Sequence, residues 1–151
     1  MPMYDDPAVP DSETLYRRVP PKPEWLTTDP VTGLIVPHAA ALQRRTGEGL
    51  SVHLDSVLNN LGRDPHTLYD PECPSFAFLA SVPRSQGDGV IPVRVGPPDE
   101  PDSDRGQAHA EVRAPEQADT PTHWRRVRTA IIKDMWWVTT PEEVGLAPVE
   151  H

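Results

Sequence analysis

Cysteine is almost absent from this chain: Cys73 stands alone among 151 residues, so no disulfide can form within it. Long apolar runs are missing as well. No stretch approaches the ~18 residues that a membrane span needs. The N-terminus has neither a basic opening nor an apolar segment, so no secretory leader is expected. A reducing cytoplasm is the expected compartment.

Basic charge is in short supply. Lys and Arg total 14 against 23 Asp and Glu, a net charge of −9. Phosphate backbones and anionic membranes are bound chiefly through Lys and Arg, so neither is an expected partner for the chain as a whole. The charge is uneven, however. Acid gathers near the N-terminus (Asp5, Asp6, Asp11) and at Asp99, Glu100, Asp102 and Asp104. Base gathers at Arg17-Arg18, Arg44-Arg45 and Arg125-Arg126-Arg128.

Several chemistries lack their spacing. The six histidines (His38, His53, His66, His109, His123, His151) include no i, i+3 or i, i+4 pair, and no CxxC or HExxH is present. No metal and no cofactor is therefore expected. Asp102-x-Asp104-x-Gly106 lacks the rest of a calcium loop. No phosphate-binding glycine loop follows a strand, and no GxSxG motif occurs.

Proline is abundant instead, with 20 residues. Proline fixes φ and removes a backbone donor, so it interrupts helices and central strands. It predicts an α+β domain: a small mixed or antiparallel sheet of about 4–5 short strands, two main helices and long proline-rich loops. Residues 1–13 read as a flexible acidic tail, 14–146 as one globular domain and 147–151 as a frayed end. Leu54, Val57, Leu58 and Leu61 keep helical spacing and predict a helix over about 54–61, closed by Gly62. Ser75 to Val82 predicts a central strand, apolar on both faces. Val90 to Val95 predicts an edge strand because of Pro92. Gly96 to Gly106 reads as an acidic loop. Ala108 to Arg113 alternates, as a strand with one wet face does. Thr120-Pro121 opens the clearest helix, and Trp136 to Thr140 reads as a closing strand.

Few residues then stand out for function. Arg17 and Arg18 can pair with a carboxylate or phosphate. His109 sits between two alanines, which leave room around an imidazole for proton transfer. Trp124, Arg125 and Arg128 suit a partner-binding helix face, since Trp and Arg dominate interface hot spots.

The order of landmarks resembles that of a family of small bacterial domains with no assigned activity. These are Leu15 to Pro20 ("LYRR" plus proline), Leu50 to Val52 ("LSV"), His109-Ala110, and Trp136 to Pro141. The resemblance spans most of residues 14–141. It implies a discrete domain and makes Arg17, Arg18, Ser51 and His109 candidates for a shared site. "LYR" followed by a mid-chain Ser is also similar to ADP-ribosyl-transferring folds, which use Arg and Ser around a nicotinamide dinucleotide. The chain departs from that pattern in its glutamate motif, for which Glu111 is the candidate.

Two functions follow as expectations. The first is a non-catalytic interaction or accessory module that binds another protein through Trp124, Arg125 and Arg128. The second is a small toxin-like enzyme acting on a nucleotide or RNA by ADP-ribosyl transfer or RNA cleavage. In it Arg17, Ser51 and His109 are catalytic, and Arg18 and Glu111 bind the ligand.

Overall fold

The computed structural model describes residues 3–93 and 104–148. Six antiparallel strands form the main sheet in the order β6-β7-β4-β1-β5-β8. They are β1 (Thr14–Arg18), β4 (Leu50–Leu54), β5 (Ser75–Leu79), β6 (Gly89–Pro92), β7 (His109–Arg113) and β8 (Trp136–Thr139). A separate two-stranded ribbon pairs β2 (Leu26–Thr28) with β3 (Ile35–Pro37). The helices are α1 (Asp55–Asn60), α2 (Ser81–Ser85), α3 (Asp104–Ala108) and α4 (Pro121–Asp134).

The expected sheet of 4–5 strands with two main helices is corrected by this architecture. Proline shortens the strands without reducing their number. Pro20, Pro74 and Pro141 lie just outside strands, Pro83 falls within α2, and Pro37 and Pro92 sit at the ends of β3 and β6. β6 is an edge strand, where a missing donor costs no ladder bond. The Leu15 segment is itself a strand, and it lies between β4 and β5. β5 is flanked by β1 and β8. The acidic stretch from Gly96 lies outside the described residues as far as 103; from Asp104 the chain is helical.

Strand alternation gives the sheet two faces. On one, Leu15, Val52, Phe76, Phe78, Ala110 and Val112 are fully buried beneath α4, whose Trp124, Val127 and Ile131 complete that core. On the other, Tyr16, Ala77 and Ala108 pack with Leu58 of α1 and with Leu68 and Tyr69 of the following loop. This second core covers only part of its face.

The stretch expected as a flexible tail is packed where it is described. Val9 is buried. Asp5 accepts from Arg84 Nε at 3.0 Å and from Val90 N at 2.9 Å. The Glu13 carboxylate accepts from Ser56 N at 3.0 Å and from its hydroxyl at 2.6 Å, and so caps the start of α1. Short-range composition reads these acids as solvated, but their partners lie 43 to 85 residues away.

A buried ionic knot ties the α4 side together. Asp88 accepts from Arg44 Nη1 at 2.6 Å and meets His123 Nε2 at 2.5 Å. Their side chains are 1 %, 0 % and 7 % exposed for Arg44, Asp88 and His123. The Arg44 guanidinium also lies 4.1 Å from the Trp124 ring centre, and the indole N–H donates to the Leu42 carbonyl at 2.8 Å.

Candidate functional site

The registers of β1, β4 and β7 build the site. Tyr16 lies opposite His53, His53 opposite His109, and Ser51 opposite Glu111. Side chains two apart share a face, so Arg18, Ser51, His53, His109 and Glu111 all belong to the face away from α4. Ser51 and His109 are diagonal neighbours, a relation that puts side chains within roughly 7–8 Å.

Arg17 does not join them. It alternates onto the α4 side, where Nη2 donates to the Ala41 carbonyl at 2.9 Å. Past the Tyr16–His53 pair no further β1–β4 register pairs form, and Arg17 Nη1 donates to the Ser51 carbonyl at 2.8 Å. The guanidinium thus replaces a ladder bond and closes a splay in the sheet. Burial lowers its pKa to about 10. Three of its five N–H groups donate to backbone carbonyls.

Arg18 is free by contrast. Its one polar contact among the described residues is Nη1 to Cys73 Sγ at 3.9 Å, and it is exposed. A cleft of about 360 Å³ opens at the splay, lined by Arg17, Arg18, Trp25, Gln43 and Ser51 among others, with no carboxylate in its wall. That is unusual ground in a chain with 23 acids. Glu111 is committed to Arg113, whose Nη1 donates to it at 2.7 Å.

His53 and His109 face each other across β4 and β7. The rings meet edge to face, 5.8 Å between centres. His109 Nδ1 lies 2.8 Å from the Val93 carbonyl. A carbonyl only accepts, so Nδ1 carries the proton and Nε2 presents a lone pair. His53 Nδ1 lies 2.7 Å from the Tyr69 hydroxyl. Burial pushes the Tyr69 pKa well up, against the opposing pull of Arg17, Arg105 and Arg18, so the phenol keeps its proton. No other acceptor for that hydroxyl is present among the described residues, so Tyr69 donates to His53 Nδ1 and the His53 proton sits on Nε2. Burial first, then His109, Arg105 and Arg17, lower the His53 pKa to about 4.

His53, Tyr69 and Arg105 escaped the sequence analysis. His53 had a local signal, since L-S-V-H-L puts it on the same side as Ser51. Tyr69 and Arg105 had none: they arrive from a proline-rich loop and from α3. Trp124 is 5 % exposed and lies in the core, so it cannot present a surface to a partner. Its indole is held by Leu42 and its ring by Arg44, contacts invisible in helical spacing. Arg125 stays exposed on α4, and Arg128 is half-buried.

Among the described residues no three His, Cys, Asp or Glu side chains converge as metal ligands. No helix there is long and apolar enough to cross a membrane. Comparison with protein-family models, with curated proteins and with solved structures finds no match.

Proposed function

We propose that the protein acts on a phosphate-bearing ligand of the nucleotide or RNA class, held on the β1-β4-β7 face. The observation that supports this best is the strand register that sets Ser51 beside the facing His53–His109 pair, next to a carboxylate-free arginine cleft. Arg18 binds the phosphate through its unspent guanidinium N–H groups. The Ser51 hydroxyl, which has no partner among the described residues, orients it. His109 Nε2 accepts a proton from a water that attacks phosphorus, the P–O ester bond breaks and solvent protonates the departing alcohol, with the Val93 carbonyl steadying the ring. His53 stays neutral near pH 7, and its Nε2–H donates a hydrogen bond to a phosphate oxygen. Arg18 takes the place in this scheme that Arg17 was expected to fill.

The test is turnover. The purified protein is incubated with nucleoside phosphates, dinucleotides and short RNAs, and products are separated by chromatography. His109→Ala is expected to slow any reaction by about 10²-fold or more, the usual worth of a positioned acid or base. Equal rates for His109→Ala and the unsubstituted protein would remove His109 from the mechanism.

A second function keeps one specific support. A groove of about 470 Å³ between α2 and α4 is lined by Arg125, Arg126 and Lys133 with Asp134 as its one acid. An acidic partner protein fits that charge, in the accessory role expected from the sequence. Charge reversal at Arg125 and Arg126 abolishing capture of such a partner would support it.

A further inference from the structure

A cavity linked to the histidine pair through Tyr69 has a different chemistry from the arginine cleft. It measures about 520 Å³, within the size range of small-molecule sites. Tyr69 joins the two. Its hydroxyl holds His53 while its ring walls the cavity, with the Arg105 guanidinium 5.9 Å from the ring centre. Arg18 Nη1 lies 3.9 Å from Cys73 Sγ, and Cys73 packs in the same buried cluster as Tyr69, so the cleft and the cavity adjoin through that cluster.

The cavity wall is mixed where the cleft is cationic. Arg63 lies 4.0 Å from the Asp104 carboxylate, which offsets its charge. The Asp70 carboxylate and the His66 ring have no partners among the described residues. Carboxylates accept from hydroxyl groups and repel phosphates. The Tyr69 ring and Pro71 add flat apolar surface, which suits a base.

We infer that this cavity takes the nucleoside end of the ligand while Arg18 takes its phosphate, so that the ligand is a mononucleotide. Asp70 accepts from a ribose hydroxyl, and the base lies against Tyr69. A longer nucleic acid would carry its next phosphate past the Asp70 carboxylate, which has no cation paired to it among the described residues. This inference rests on the phosphate site proposed above.

Titrations by calorimetry, with backbone amide shifts followed by NMR, test it. The probes are inorganic phosphate, ribose 5-phosphate, adenosine and uridine monophosphates, and a tetranucleotide RNA. A monophosphate is expected to bind roughly tenfold or more tighter than ribose 5-phosphate, one decade of affinity, and to shift the amides of Tyr69 and Arg105. Asp70→Asn is expected to erase the advantage of the sugar phosphates over inorganic phosphate; His66→Ala serves as a second cavity variant if Asp70→Asn folds poorly. Ribose 5-phosphate binding as tightly as the monophosphates overturns the cavity assignment while leaving the phosphate site standing. So does an advantage untouched by both variants. Tighter binding of the tetranucleotide overturns the mononucleotide claim. No binding of any probe overturns the phosphate site itself.

Discussion

His53 and His109 share a strand pair yet have opposite tautomers, because one faces a hydroxyl donor and the other a carbonyl acceptor. The consequence is a pH-dependent stability. His53 is lowered to about 4 in the fold, against ~6.5 in an unfolded chain. Above pH 6.5 neither state binds the proton and nothing is lost. Between about 6.5 and 4 the unfolded chain binds it first, so stability falls as pH falls. Below about 4 this contribution levels off. The shift corresponds to about 3 kcal/mol at most. Urea midpoints measured from pH 7 to 4 should decline over that window, and His53→Asn should flatten the decline. An identical slope in the variant would show that His53 does not titrate this way.

Neighbouring arginines on β1 differ at the level of the strand: Arg17 is bonded to backbone carbonyls and Arg18 is exposed. Arg17→Ala removes three donors from two backbone carbonyls, Ala41 and Ser51. Hydrogen bonds from charged groups are worth about 1.5–3 kcal/mol each, so a loss of about 2–4 kcal/mol is expected in chemical denaturation. Arg18→Ala, exposed and nearly without partners, should stay within about 0.5 kcal/mol of the unsubstituted protein. Equal losses for the two would contradict this difference. Across the sheet, Asp88→Asn strips a buried arginine of its counter-charge. Breaking such a pair costs about 3–5 kcal/mol, and a smaller loss by thermal or urea unfolding would show that water reaches the knot. α4 and α1 were legible in the sequence because their apolar stripes repeat every turn and Thr120-Pro121 marks a start. β8 was legible from its β-rich composition. β1 was not, because five residues before a double proline carry too little periodicity, and pairing partners 37 to 65 residues away decide its state. The same limit hid half of the site. Ser51 and His109 were visible as isolated polar residues in alternating strands, whereas the choice of Arg18 over Arg17 depends on which face β1 turns toward α4.

At the scale of the whole molecule, a protein of net charge −9 concentrates positive charge where three strands meet. Arg105 and Arg17 both act on His53 as cations. The acids are spent elsewhere, Asp5 and Asp11 on Arg84 and Asp88 in the α4 knot. An acidic exterior repels polyanions in general, while the local field admits a small one. Amide NMR of the isotope-labelled protein titrated with inorganic phosphate tests this most directly. Saturable shifts should centre on Arg18, Ser51, His53 and His109, and Arg18→Ala should abolish them with the fold intact. Shifts confined to Arg125, Arg126 and Lys133 on α4, or shifts at the sheet that persist in Arg18→Ala, would contradict it.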